Sequence, residues 1–154
     1  MASLKESLQS DLTAAIREKN AAVIGTLRMV LSAITNEEVA GKVARELSDQ
    51  EVMQVLTREA KKRKEAATAF RDASRPELAA KELEELDIIS RYLPEALTDQ
   101  EIAQIVAAAV AQVAEAGQSG PSAMGAVMKI VSPQVAGRAD GSQVAASVKA
   151  ALAN

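Results

Sequence analysis

Apolar residues in this chain recur at intervals of three and four, and this spacing constrains the fold more than any other feature. The clearest sets are Val23, Ile24, Leu27, Val30, Leu31 and Ile34; Ile102, Ile105, Val106, Ala109, Val110 and Val113; Met124, Val127, Met128, Val131 and Val135; and Val144, Val148 and Leu152. Each set would form one apolar stripe along a helix. No segment alternates apolar and polar residues with the period of two that is typical of a strand. The sequence therefore predicts an all-α protein.

Capping residues divide the chain into seven predicted helices. The capping-box spacing, a Ser or Thr followed three residues later by Glu, begins at Ser3, Ser48, Ser74 and Thr98. Asp140 with Gln143 is a fifth candidate, and Asn20 is placed to cap the second helix. Predicted stops are Gly41, Gly117 and Gly137, because glycine tolerates the left-handed conformation that ends many helices. The predicted helices span residues 3–19, 21–40, 49–73, 75–92, 99–116, 121–135 and 141–153.

A domain boundary is predicted at Pro94, because proline pushes the residue before it out of the helical conformation. The composition changes at the same point. Of the charged residues, only three basic and four acidic ones lie in 96–154, which is rich in Ala and Val. We therefore predict an N-terminal domain of four helices, residues 1–93, and a C-terminal domain of three helices, residues 94–154.

The composition excludes several classes of function. The chain has no Cys and no His, so disulfides, Cys-rich zinc sites and the commonest general base are absent. No nucleotide-binding loop, nucleophile elbow or zinc-protease motif occurs. We therefore expect no catalytic residue, no cofactor and no metal. A net charge of −3 does not favour DNA binding. The polar N-terminus and the lack of a long apolar segment predict a cytoplasmic protein without a membrane partner.

One candidate site is the basic run Lys61, Lys62, Arg63 and Lys64. It could bind an acidic partner or phosphate. Alternatively it is structural, because Glu59 and Glu65 interleave with it and Arg63 falls on the apolar stripe of its helix. In that interpretation Arg63 is half-buried and paired with Glu37 or Glu38.

A second candidate site is the segment 137–141, Gly-Arg-Ala-Asp-Gly, together with Lys129. The segment ends at the start of a predicted helix, where free N–H groups favour an anion. Gly137, Arg138 and Gly141 would then contact phosphate. The alternative is that Asp140 simply caps the helix and the glycines only turn the chain.

At these residues the sequence resembles the GatB/YqeY family, specifically its stand-alone YqeY-like members. The matching segments are 26–34 (TLRMVLSAI), 61–65 (KKRKE), 89–94 (ISRYLP), 124–128 (MGAVM) and 137–141 (GRADG), in order along nearly the whole chain. The related domain also forms the C-terminal tail of the B subunit of a glutamine-dependent amidotransferase. There it is a helical tRNA-binding module, while the catalytic parts lie elsewhere.

The resemblance implies a non-catalytic module that binds tRNA or assists tRNA amidation or aminoacylation. In this chain the tRNA contacts would be Lys129, Gly137, Arg138 and Gly141. An alternative is a protein-interaction module whose partner is an amidotransferase or an aminoacyl-tRNA synthetase. A further alternative is an accessory subunit of a carbon–nitrogen ligase with glutamine as amido-N-donor. The chain is too short to contain the catalytic parts of such an enzyme.

Overall fold

The structure, a computed structural model, describes residues 1–153. Within them it contains seven α-helices, one short 3₁₀ turn and no β-strand, so the all-α prediction is confirmed. The helices are α1 (Leu4–Glu18), α2 (Ala21–Glu38), α3 (Asp49–Asp72), α4 (Pro76–Ser90), α5 (Asp99–Glu115), α6 (Met124–Val135) and α7 (Gly141–Leu152). The first three residues of the predicted sixth helix, Pro121–Ala123, form the 3₁₀ turn instead. No helix within residues 1–153 combines the length and the apolar character needed to cross a membrane.

Most of the predicted helix starts are confirmed. Ser3, Ser48 and Thr98 each accept a hydrogen bond from the backbone N–H of the Glu three residues later, whose carboxylate bonds back to the cap. These are complete capping boxes, which satisfy two otherwise unpaired amides at each helix start. Asn20 caps α2 by accepting from the N–H of Val23. The local sequence thus determines where these four helices begin.

Two predicted boundaries are wrong. Ser74 does not cap α4; it has φ 59° and ends α3, with Ser74 N–H donating to the carbonyl of Arg71 at 3.1 Å. Arg75 N–H donates to the carbonyl of Phe70 at 2.8 Å, and α4 begins at Pro76 without a side-chain cap. The connection is so short that the residue closing α3 cannot also cap α4. Gly41 does not adopt a positive φ, because α2 already ends at Glu38.

Substitution of Ser74 by glycine should stabilise the chain by about 0.5 kcal/mol. A residue with a Cβ is strained in the left-handed conformation, and the relief exceeds the extra entropy that glycine gains in the unfolded chain. Tyr92 is the only Tyr and there is no Trp, so its fluorescence during urea unfolding measures the effect. Ser74→Ala is the matched control and should not stabilise. Equal stability of the two variants would contradict the assignment of strain to this position.

The chain separates into two compact units, Met1–Pro94 (unit 1) and Glu95–Asn154 (unit 2). In unit 1, α3 and α4 form a helical hairpin, and α1 and α2 pack against each other. The buried apolar residues at its centre are Leu8, Leu27, Val30, Ile34, Val52, Val55, Leu56 and Ile89. Tyr92, just after α4, donates its hydroxyl to Asp11 Oδ2 on α1 at 2.6 Å. Burial and this hydrogen bond raise the pKa of Tyr92, so the phenol stays neutral and holds the two helices together.

Unit 2 contains α5, α6 and α7, each packed against the other two. Its core consists of small apolar side chains from all three helices and the 3₁₀ turn. They are Ile102, Val106, Ala109, Val113, Ala123, Val127, Val131, Val135, Val144, Val148 and Leu152. Because these side chains are short, the helices can pack without aromatic residues. The predicted stops Gly117 and Gly137 both adopt positive φ, after α5 and α6 respectively.

Candidate functional site

Within the basic run of α3, Arg63 differs from its neighbours. Lys61, Lys62 and Lys64 are exposed, whereas Arg63 is 6% exposed. The stripe on which Arg63 lies faces the rest of unit 1, as the apolar spacing of α3 indicates. The run is therefore divided between three exposed ammonium groups and one buried guanidinium.

The acidic partners predicted for Arg63 are wrong. Arg63 Nη1 bonds to Glu59 Oε2 at 2.5 Å, and Arg63 Nε lies 3.4 Å from Glu85 Oε2 of α4. Glu37 instead pairs with Arg58 at 3.2 Å, and Glu38 pairs with Lys5 of α1 at 2.8 Å. The reason is that α3 packs closely against α4 as well as α2, so the side of α3 that carries Arg63 meets the carboxylate of Glu85.

Glu59 is one of the two carboxylates beside the buried Arg63. Burial raises the pKa of the Glu59 carboxyl, but hydrogen bonds and charge from Lys62 and Arg63 lower it more, so it lies below its ordinary value. Glu59 therefore remains ionised near neutral pH. An ionised carboxylate here compensates the buried guanidinium, which otherwise would be costly to desolvate.

The stability of unit 1 should fall as the pH is lowered from about 5 towards 2. Hydrogen bonds from Arg45 and then from the backbone of Ser48 lower the pKa of Glu51 from 4.5 to about 2. A carboxyl with a depressed pKa stabilises the folded state above its unfolded pKa, and that contribution is lost as pH falls through the folded pKa. Urea unfolding, followed by Tyr92 fluorescence at several pH values, measures the dependence.

Glu51→Gln should make that dependence shallower, because glutamine can keep the capping box but does not titrate in this range. Glu84→Gln is the matched control, since Glu84 is exposed and makes no ion pair among the described residues. An unchanged pH dependence in Glu51→Gln would contradict this assignment.

The second candidate site, the segment 137–141 of unit 2, is anchored to the chain before α5. Leu97 N–H donates to the carbonyl of Arg138 at 2.8 Å, and Arg138 Nε donates to the carbonyl of Glu95 at 3.2 Å. Gly137 begins the segment with φ 73°. The backbone of Arg138 and one edge of its guanidinium therefore have structural roles.

Asp140 caps α7, as one of the two interpretations predicted. Its Oδ1 accepts from Ser142 N–H at 3.0 Å and from Ser142 Oγ at 2.9 Å. Gln143 does not complete a capping box; its side chain donates to Asp99 Oδ1 of α5 at 2.5 Å. Gly141 is the first residue of α7 and is exposed.

Lys129 lies on α6, where it is exposed and its side chain forms no hydrogen bond or ion pair with residues 1–153. The structure thus brings Gly137, Arg138 and Gly141 together in one anchored segment, which runs from the loop into the start of α7. Lys129 belongs to the same unit but to another element, and no hydrogen bond or ion pair joins its side chain to that segment within the described part of the chain.

Sequence reasoning missed a polar stripe on α2. Arg28, Ser32 and Asn36 lie four residues apart and are exposed. They border two shallow hollows of unit 1. The α1–α2 hollow, about 450 Å³, is lined by Leu12, Arg28, Leu31, Ser32, Thr35 and Asn36. The α2–α3 hollow, about 340 Å³, is lined by Arg28, Met29, Ser32, Ala33, Asn36, Glu59 and Arg63. The sequence did contain a signal for this stripe, because polar residues spaced four apart on a helix lie on the same face.

The acidic side chains do not assemble into a recognisable metal site. Among residues 1–153, no group of three or more Asp, Glu, His or Cys side chains is placed to hold a metal ion. The Glu residues of α4 are spread over the helix, and Glu85 pairs with Arg63.

Comparison with known proteins finds relatives of similar sequence and a matching family. One relative, altered inheritance of mitochondria protein 41 of Pyrenophora tritici-repentis, is 31% identical over 80% of this chain and 68% of its own length. Another, of the same name in Clavispora lusitaniae, is 37% identical over 64% of this chain and 58% of its own length. An uncharacterized protein of Schizosaccharomyces pombe is 33% identical over 60% of this chain and 73% of its own length. The first two names include the word mitochondrial, whereas the sequence alone predicts the cytoplasm. The model of the family described as YqeY-like protein matches residues 5–152, and the chain therefore belongs to the YqeY-like protein family.

Proposed function

We propose that this chain is a non-catalytic helical module that binds tRNA through unit 2. The contacts are made by Lys129 on α6, by Gly137 and Arg138 in the loop before α7, and by Gly141 at the first position of α7. The observation that carries this proposal is the anchoring of the loop through Arg138, whose backbone and Nε are both bonded within unit 2. Because the loop is held in place before binding, little conformational entropy is lost when it contacts phosphate.

Arg138 can serve both the fold and the ligand. Only its Nε donates to a carbonyl, and its two Nη nitrogens make no hydrogen bond to residues 1–153. Those Nη groups form the part of the guanidinium that binds a phosphate oxygen most directly. Gly141, at the start of α7, is exposed, and its backbone N–H adds a second donor. The following N–H, that of Ser142, already donates to Asp140 Oδ1.

The absence of His and Cys from the sequence supports a module without its own chemistry. The family resemblance suggests the process in which the module takes part, which is tRNA amidation or aminoacylation. An amidotransferase or an aminoacyl-tRNA synthetase would act on the bound tRNA. In this role the chain positions a substrate for another enzyme and needs no cofactor.

The charge distribution predicts modest, salt-sensitive affinity. Unit 2 carries only Lys129, Arg138 and Lys149 as basic side chains. Each phosphate neutralised by a cation contributes roughly −0.9 to the slope of log K against log salt, so two contacts predict a slope of about −2. Shape recognition by backbone amides would supply the preference for tRNA over DNA.

Binding of the full chain to total tRNA, with duplex DNA as competitor, should be measured by filter retention at 50 and 200 mM salt. We expect selective binding to tRNA that weakens with salt. Lys129→Ala should weaken tRNA binding severalfold and reduce the magnitude of the slope of log K against log salt by about 1, which is the effect of one lost phosphate contact.

Lys149→Ala is the matched control, since Lys149 is an exposed lysine in the last turn of α7, at the opposite end from the loop. It should leave the affinity nearly unchanged. Equal losses in the two lysine variants, or binding that prefers duplex DNA, would overturn the assigned contacts. An absence of binding at 50 mM salt would overturn the proposed function.

A further inference from the structure

The α2–α3 hollow of unit 1 has a buried arginine with unsatisfied donors. Arg63 Nη1 bonds to the carbonyl of Glu59 at 3.1 Å and to its carboxylate. Arg63 Nη2 has only Met29 Sδ as acceptor, at 3.9 Å, and Nε has no hydrogen-bond partner. A thioether is a weak acceptor, whereas a guanidinium carries five N–H donors. Donors left poorly satisfied in a buried group are costly, and a stronger acceptor would be favourable there.

The other polar groups around this hollow also have unused hydrogen-bonding capacity. Arg28 is exposed, and within residues 1–153 its guanidinium forms no ion pair. The side chains of Ser32 and Asn36, on the same stripe, likewise form no hydrogen bond in this part of the chain. Two guanidinium groups, one hydroxyl and one amide thus border a single hollow.

The charge of the hollow favours one carboxylate. Glu59 lines the wall beside Arg63, and its negative charge is already shared between Arg63 and Lys62. Arg63 also pairs with Glu85, so Arg63 and Lys62 together balance two carboxylates, and Arg28 is the cation lining the hollow that forms no ion pair among the described residues. A single negative charge matches Arg28. A phosphate dianion or a nucleic-acid backbone would bring further negative charge, which the carboxylate of Glu59 would repel.

The shape favours a protein segment as the carrier of that carboxylate. Both hollows are shallow and open, and they share Arg28, Ser32 and Asn36 as a common wall. A free small acid would stay largely exposed here, unlike ligands of enclosed pockets. A chain segment can place an acidic side chain on one side of the wall and an apolar one against Leu12 and Leu31 on the other.

We propose that this face of α2 docks an acidic segment of a partner protein. One Asp or Glu side chain enters the α2–α3 hollow between Arg28 and Arg63, and a neighbouring apolar side chain enters the α1–α2 hollow. Met29, which is 43% exposed and flexible, gives way so that the carboxylate replaces its sulfur as acceptor for Arg63 Nη2. This docking surface lies in unit 1 and does not depend on tRNA binding by unit 2.

The test is a titration of the full ¹⁵N-labelled chain with the blocked dipeptide Ac-Leu-Glu-NH₂, followed by NMR of the arginine Nε–H signals. We expect saturable shifts of the Arg28 and Arg63 signals at millimolar dipeptide, and none with Ac-Leu-Gln-NH₂. Arg28→Ala should weaken the binding about tenfold, as expected for a lost charge-assisted hydrogen bond. Lys64→Ala, which removes an exposed cation of α3, is the control and should not weaken it.

Two further arms separate the alternatives. Glutarate and inorganic phosphate are titrated in the same way. Stronger saturable shifts with either of them than with the dipeptide would overturn the proposal in favour of a free oxyanion ligand. Unshifted Arg28 and Arg63 signals, or equal binding by Arg28→Ala, would overturn it outright. The affinity of Arg28→Ala for tRNA should stay unchanged, and a marked loss would assign this face to RNA instead of protein.

Discussion

Substitution of Arg63 by alanine should lower the free energy of unfolding of unit 1 by about 3 kcal/mol. The change removes a cation from between Glu59 and Glu85, whose side chains are only 13% and 16% exposed. Glu85 would then lose its ion-pair partner, Glu59 would keep only Lys62, and a cavity would replace the side chain. Tyr92, the only tyrosine in a chain without tryptophan, reports the unfolding of unit 1 by fluorescence in urea.

Lys62→Ala is the control on the same helix. Lys62 is exposed and makes a single ion pair with Glu59, so its loss should cost less than about 1 kcal/mol. Arg63→Lys should give an intermediate value, since an ammonium keeps the charge but not the geometry of the guanidinium. A loss below about 1 kcal/mol in Arg63→Ala would contradict the structural importance of this buried charge.

Leu27→Ala should have an effect of similar size, a loss of about 3 kcal/mol, because it leaves a cavity in the core of unit 1. Leu27 is fully buried and packs among residues of α1, α2 and α3. The loss is expected in the urea unfolding curve reported by Tyr92. The next residue, Arg28, faces solvent, so Arg28→Ala should change stability by less than about 0.5 kcal/mol.

The contrast between these two adjacent positions tests the orientation of α2. Similar effects at positions 27 and 28 would mean that α2 is rotated relative to the structure described here. The Arg28→Ala result also establishes that this variant is folded, which its use in the dipeptide titration requires.

The helices were predictable because their signals are local. Ser3, Ser48 and Thr98 each sit three residues before a Glu, and this spacing alone satisfies the amides of the first turn. Ser74 carries the same spacing before Glu77 but lies in a three-residue connection, where it ends α3. The spacing from Ser74 to Glu77 does not show that Ser74 already closes the preceding helix, α3.

The candidate sites were less predictable because their partners are distant in sequence. The apolar stripe of α3 indicates that Arg63 is inward-facing, yet its pairing with Glu85 depends on how α3 packs against α4. Likewise, the spacing of Arg28, Ser32 and Asn36 is visible in the sequence, but the hollow they form with Arg63 requires the packing of α2 on α3. For the loop at 137–141, the capping role of Asp140 is local, whereas the anchoring of Arg138 to Glu95 is not.

The most direct test of the proposed function is to map where tRNA contacts the chain. The ¹H–¹⁵N spectrum of the full chain should be recorded with increasing total tRNA at 50 mM salt. We expect the backbone amides of Lys129, Gly137, Arg138 and Gly141 to shift or broaden first, while those of α2 and α3 stay unchanged. Perturbations confined to unit 1, or a spectrum that tRNA leaves unaltered, would contradict the account of unit 2 as a tRNA-binding module.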